Sequence, residues 1–231
     1  MHDDAGGQRA LRLDQPRSTR FDGFWPGPNR SALTALQQFC AGDDDGQYLL
    51  LGPPASGKSH LLQAACRAQW EQQRPAIYLN PQLQPLGAAP GLESGADSLV
   101  AVDQLDGLSA EDEMVLLRLV DRCRAAGGRL LLAARQRPEH LAWVLPDLQS
   151  RLAWGVILEL QPMDEVALGQ MLAHRARLLG ITLPAPVVAY LLRRLPRDPG
   201  TLIRTLDAAY EQAVAESRQL TVPLLRELIR A

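Results

Sequence analysis

The residues best placed to do chemistry are Gly52-Pro53-Pro54-Ala55-Ser56-Gly57-Lys58-Ser59. They fit G-x-x-x-x-G-K-[ST], a loop whose backbone N–H groups wrap nucleotide phosphates. Gly52, Ala55, Ser56, Gly57 and His60 would line the cradle, Lys58 would reach the β- and γ-phosphates, and the Ser59 hydroxyl would bind Mg²⁺. Of 24 basic residues Lys58 is the only lysine. A compact ammonium fits inside such a loop where a planar guanidinium does not. A glycine-rich turn without a ligand is the competing reading, and the flanks argue against it. Tyr48–Leu51 reads as a buried strand and 60–73 as a helix, so the loop opens a helix whose N-terminus favours anions.

A second signal lies about 45 residues on. Ser98–Asp103 is an apolar strand ending in a carboxylate, and such an aspartate helps hold Mg²⁺ beside a bound triphosphate. The next residue is Gln104, which cannot act as a base, so weak intrinsic hydrolysis is expected. Asp106 reads as a solvated turn residue. Arg135, after a strand at 130–134, reads as an exposed charge in preference to a γ-phosphate sensor. Arg151, in Ser150-Arg151-Leu152-Ala153-Trp154-Gly155, sits on a short helix before a strand at 156–160. There it would point out of the subunit edge and serve either in a surface salt bridge or as a charge-stabilising finger for a neighbour's nucleotide.

These groups must be positioned by strands at 48–51, 76–79, 98–103, 130–134 and 156–160 alternating with helices, which is an α/β pattern with a parallel sheet. A helix from Ser31 (as N-cap) to about Phe39 precedes them, and Asp43–Gly46 reads as a solvated turn. Residues 80–97 read as a loop with one helical turn. Ser109–Asp112 reads as a capping box for a helix that Gly127-Gly128 stops. In Phe24-Trp25-Pro26 the aromatics either wall the nucleotide base or pack on the core. From Pro162 the pattern is helical only, near 164–179, 186–195, 199–217 and 222–230, with Asp164 as an N-cap and Gly180 as a stop. The expected organisation is a tail at 1–20, an α/β nucleotide-binding domain at 21–161 and a helical lid at 162–231.

Composition sets bounds. The 231 residues are 46% hydrophobic with a net charge of −2, enough for a core and without the basic footprint of a non-specific nucleic-acid binder. Cys40, Cys66 and Cys123 form no C-x-x-C pair and read as buried thiols of a cytoplasmic protein. No apolar run is long enough for a membrane span.

Phosphate loop, strand aspartate, edge arginine and helical lid together resemble the AAA+ ATPases. Arg20-Phe21-Asp22-Gly23-Phe24, Ser150–Gly155 and Leu220-Thr221-Val222-Pro223 narrow the resemblance to the DnaA-like group and its Hda branch of regulatory inactivators, over about residues 20–231. The resemblance implies a five-stranded parallel sheet flanked by helices, ADP or ATP with Mg²⁺ as cofactors, and Arg151 as an arginine finger acting in trans. It implies as partners the DnaA initiator, the sliding clamp (β subunit of DNA polymerase III) and a second copy of the chain. Sequence-specific DNA binding is not expected, because the chain stops at the lid. Gln8, Leu11 and Leu13 match the key positions of the family's clamp-docking motif, with Arg9 and Arg12 where apolar residues are usual. Gly200 stands where the family carries a nucleotide-sensing arginine, with Arg197 or Arg204 about one turn away as substitutes.

Overall fold

The computed structural model describes residues 19–42, 46–89 and 98–230. The docking residues Gln8, Leu11 and Leu13 and the Asp43–Asp45 turn lie outside them. The described residues fall into two compact units. One comprises those of 1–24, 31–52 and 58–160, and the other those of 25–30, 53–57 and 161–231.

The first unit is a three-layer α/β sandwich. Strands β1 (Gln47–Leu51), β2 (Ala76–Leu79), β3 (Leu99–Val102), β4 (Arg129–Ala134) and β5 (Val156–Glu159) form one sheet in the order β2-β3-β4-β1-β5. Every pairing is parallel. Parallel strands are covered on both faces, which is why these segments read as continuous apolar runs. Their side chains alternate between two cores. Tyr48, Leu50, Leu99, Ala101, Leu131 and Ala133 face a cluster shared with helices α1 (Arg30–Ala41) and α2 (Lys58–Glu71). Leu49, Leu51, Val100, Val102, Leu130 and Leu132 face the other, with α3 (Ala110–Ala126) and α4 (Pro146–Leu152). The cysteines are free and buried, and burial pushes the Cys40 thiol up to about 12.

Helix ends follow local chemistry. Ser109 caps α3 by accepting the Asp112 N–H at 3.1 Å. The Asp112 carboxylate takes the Ser109 hydroxyl and the Leu86 N–H, so the expected capping box is recruited to hold the 3₁₀ turn Leu86–Ala88. Gly127, at φ 67°, ends α3, and the Gly128 N–H closes on the Cys123 carbonyl at 2.8 Å. At α1 the expected cap is corrected. Ser31 lies inside the helix, because the 3₁₀ turn Gly27–Asn29 runs straight into it. The C-terminus of α1 is satisfied by buried Arg129, whose guanidinium donates to the Phe39 and Cys40 carbonyls at 2.9 and 3.2 Å and to Gln69 Oε1 at 2.7 Å.

The junction from α4 to β5 explains the glycine of Ser150–Gly155. Gln47 Nε2 donates to the Arg151 and Leu152 carbonyls at 3.2 and 3.0 Å, satisfying the end of α4. That brings Gly155 so close to β1 that a Cβ there would lie 2.6 Å from the Gln47 carbonyl oxygen. Backbone cannot yield as a flexible side chain can. Gly155→Ala is expected to cost about 1–3 kcal/mol by overpacking, read from chemical denaturation midpoints.

In the second unit four helices, α5 (Glu165–Leu178), α6 (Ala185–Arg194), α7 (Pro199–Ala215) and α8 (Val222–Arg230), enclose a core of Leu168, Leu172, Leu191, Leu202, Leu206 and Leu225. Asp164 caps α5 through the Ala167 N–H at 2.7 Å, and Asp198 caps α7 through the Thr201 N–H at 2.7 Å. Arg175 grips Asp207 bidentately at 2.7 and 2.8 Å, tying α5 to α7. Among the described residues no helix is long and apolar enough to cross a membrane.

Candidate nucleotide site

The sheet order decides what meets at its carboxyl edge, the side on which α/β folds bind ligands. The phosphate loop follows β1, Asp103 follows β3, and β4 between them ends at Arg135. Within the loop Ala55 and Gly57 have φ of 62° and 96°. These left-handed residues turn successive N–H groups inward, which makes an anion-binding concavity. α2 opens at Lys58-Ser59-His60, so the first N–H groups of a helix, which have no acceptor within it, follow directly on the loop.

Lys58 is 9% exposed, and its Nζ donates to the Gly52 carbonyl at 2.7 Å. Burial pushes its ammonium below the usual lysine value. The Asp103 and Asp106 carboxylates push it back up, and the Arg135 guanidinium pushes it down. One cation thus sits in the combined field of two carboxylates and a second cation. Asp106, expected to be merely solvated, is corrected. Its carboxylate accepts the Arg135 N–H at 3.1 and 2.9 Å, locking the end of β4 to the turn after β3. The Arg135 side chain is exposed, as expected, yet close enough to weigh on Lys58.

Asp103 is fully buried. Its Oδ1 accepts the Gln104 N–H at 2.9 Å, and its Oδ2 accepts the Tyr78 hydroxyl at 2.7 Å. Gln104 adopts φ 52°, uncommon for a residue with a side chain. A buried carboxylate whose charge reaches Lys58, with the Ser59 hydroxyl next in sequence at the start of α2, offers the hard oxygen donors that suit Mg²⁺, which takes few protein ligands beside nucleotide phosphates. When bound, the ion would neutralise phosphate charge. Tyr78 was missed by sequence reasoning. The available signal was a hydroxyl in an apolar strand next to the strand that ends in Asp103.

Other expected residues are placed differently. The His60 ring bonds the Arg20 carbonyl at 2.9 Å and tilts on Phe24, so its side chain anchors the segment before α1 and leaves the loop only its backbone N–H. Because a carbonyl only accepts, His60 Nε2 carries the proton. Phe24 is 7% exposed within the first core, so its ring packs on the core and has no face open for a base.

Trp25 and Pro26 belong to the second unit. The Trp25 ring stacks obliquely on His174, and its Nε1 is buried without an acceptor among the described residues. It borders a groove of about 540 Å³ lined also by Arg30, Asp164, Val166 and Gln170. A buried N–H without a partner suits a hydrogen-bond acceptor such as a ring nitrogen. In the same unit Arg197 pairs with Glu165 at 2.6 Å. Arg204 donates to Thr201 Oγ1 at 3.0 Å and lies over Gly200, where a Cβ would come within 3.1 Å of its Nη1. The glycine thus leaves room for Arg204 to fold across the first turn of α7.

Arg151 lies at the surface in a salt bridge, one of the two roles expected of it. Its Nε donates to Asp121 at 2.7 Å, and its guanidinium lies 5.9 Å from the Trp154 ring. Trp154 is 59% exposed, and Arg124 sits 4.4 Å from the ring centre on a second approach. The edge next to β5 therefore presents an aromatic flanked by two cations.

This fold and loop define the class: an AAA+ phosphate-loop protein with a helical lid. Among solved structures the chain is similar to domain III of the replication initiation protein DnaA from Thermotoga maritima, at 16% identity and TM-score 0.75, covering 93% of this chain and 97% of that one. It is similar to AMPPCP-bound DnaA from Aquifex aeolicus, at 18% identity and TM-score 0.67, covering 86% and 65%. It also resembles a mutant of RuvB from Thermotoga maritima, at 17% identity and TM-score 0.64, covering 92% and 72%. Residues 164–229 match the family described as Hda, lid domain. The family match covers the helical region alone, and the likeness to the solved structures is one of fold.

Proposed function

We propose that this chain is a nucleotide-binding regulator of replication initiation that acts on DnaA. It binds ADP with Mg²⁺, docks on the DNA-loaded sliding clamp through Gln8, Leu11 and Leu13, and meets ATP-bound DnaA edge to edge. The observation that carries the reading is the Hda lid match, supported by an Asp103 whose charge acts on Lys58 and by Gln104, which cannot act as a base, next to Asp103 in sequence. Such a site is built to hold nucleotide more than to consume it.

Each residue has a role on this reading. Lys58 and the loop N–H groups bind the phosphates, and Ser59 and Asp103 hold the cation. Trp25, beside the groove of its own unit, would offer its N–H to a base. Arg151 leaves Asp121 to reach the partner's nucleotide and offsets charge developing on its phosphates. The pair it leaves is on the surface, where solvent screens it, so its release is a small cost.

The testing experiment loads DnaA with labelled ATP, adds clamp-loaded DNA, and follows ADP formation with and without this chain. Acceleration that requires the clamp supports the reading. ATP turnover by the chain alone would replace it with an independent ATPase. The independent-ATPase reading meets Gln104 first. Gln104→Glu is expected to raise the chain's own ATP turnover by about 10²-fold, the lower end of what a positioned general base contributes. Unchanged turnover in single-turnover assays would show that the missing base is not what limits hydrolysis.

A further inference from the structure

Tyr78 lies on β2, paired in register with Ala101 of β3, on the side of the sheet that α2 covers. Three side chains converge on its phenol oxygen. Asp103 Oδ2 accepts the phenol O–H at 2.7 Å, and the amides of Gln63 in α2 and Asn80 just beyond β2 lie close enough to favour its ionised form. Asn80 Oδ1 accepts the Gln82 N–H at 3.0 Å, which fixes the orientation of its amide. An ionised carboxylate only accepts, so the single phenol proton goes to Asp103 Oδ2. The hydroxyl therefore points at Asp103.

Asp103 is held from both sides by this arrangement. Oδ1 is fixed by the Gln104 N–H and Oδ2 by Tyr78, and the carboxylate is fully buried, so it has no solvent to reorient in. An oriented carboxylate keeps its remaining lone pairs on one side. We propose that Tyr78, through its hydrogen bond to Asp103, is a positioning residue that sets the orientation of that carboxylate and thereby the cation dependence of nucleotide binding. This rests on the reading of the phosphate loop as a nucleotide site. The hydroxyl touches neither nucleotide nor cation; it acts through Asp103. Groups of this kind behind a metal-binding carboxylate typically change metal affinity by about 10–100-fold when removed.

The experiment titrates ADP into the full chain in Mg²⁺ and in EDTA, and titrates Mn²⁺, read by its paramagnetic resonance signal, into the ADP-bound chain. Tyr78→Phe keeps the ring and its packing and removes only the hydroxyl. The expected result is an unchanged ADP affinity in EDTA, an apparent Mn²⁺ affinity about tenfold weaker, and loss of most of the Mg²⁺-dependent gain in ADP affinity. In an Asp103→Asn background the same substitution is expected to add nothing. Equal weakening in Mg²⁺ and EDTA would assign Tyr78 a structural role and overturn the inference. No change in Mn²⁺ affinity would overturn it as well, while leaving the nucleotide site intact. A wild-type chain that binds ADP in neither buffer would overturn the site itself.

Discussion

Lys58→Ala is expected to weaken ADP and ATP binding by at least about 100-fold. A hydrogen bond to a charged group contributes roughly 1.5–3 kcal/mol, and the upper end of that range is two orders of magnitude in affinity. The upper end applies because Lys58 is 9% exposed and its ammonium is held charged against burial by Asp103 and Asp106. The unliganded variant should fold with a denaturation midpoint near that of wild type, since removing the ammonium also removes its desolvation. Saturating ADP separates the two proteins. At a hundred times its dissociation constant a ligand stabilises the folded state by about 2.7 kcal/mol, and the variant should lose nearly all of that. Lys58→Arg should not restore binding, because a planar guanidinium is too broad for the loop. Retention of the ADP-induced shift in Lys58→Ala would remove the phosphate loop from the binding site.

The second large effect concerns Arg151. Arg151→Ala is expected to reduce stimulation of DnaA's ATP hydrolysis by about 10³-fold, the lower end of what an arginine supplied in trans contributes. ADP binding by the variant itself should stay within about twofold of wild type. The side chain lies on Asp121, next to Trp154, within the α/β unit, and takes no part in the arrangement around Lys58. Asp121→Asn is the informative companion. It weakens the surface pair that holds the guanidinium back and should leave stimulation at or above the wild-type level. Full stimulation by Arg151→Ala would end its assignment as the finger, and a parallel loss in Asp121→Asn would point to the pair itself as the working unit.

The strands and the phosphate loop were legible because their physics is local. An apolar run before glycines, an Asp closing a buried strand and Gly at a helix stop each declare a conformation within a few residues. What was not legible depends on residues far apart. Tyr78 finds Asp103 only because β2 and β3 pair, and Asp106 finds Arg135 only because β4 ends beside the turn after β3. Ser31 carries the type of an N-cap, but the 3₁₀ turn before it already feeds the helix. Arg151 stands on the short helix its sequence declares, while its direction is set by Asp121, a helix away in sequence. Phe24 and Trp25, adjacent in the chain and alike in type, invite one reading. The structure assigns one to the α/β core and the other to the lid unit.

The interior position of β1, between β4 and β5, has a consequence for how the protein is made. β1 carries the phosphate loop, yet its two neighbours, β4 and β5, begin about 80 and about 110 residues further along the chain. At about 5–20 residues per second, a ribosome delivers the nearer partner roughly 4–16 s after β1 itself. For that interval Tyr48–Leu51 is an apolar strand with both edges open, the state most prone to wrong pairing. The nucleotide loop is thus synthesised early and framed late. Slowing translation between β1 and β4 should hurt the yield of folded protein more than slowing it anywhere in the lid.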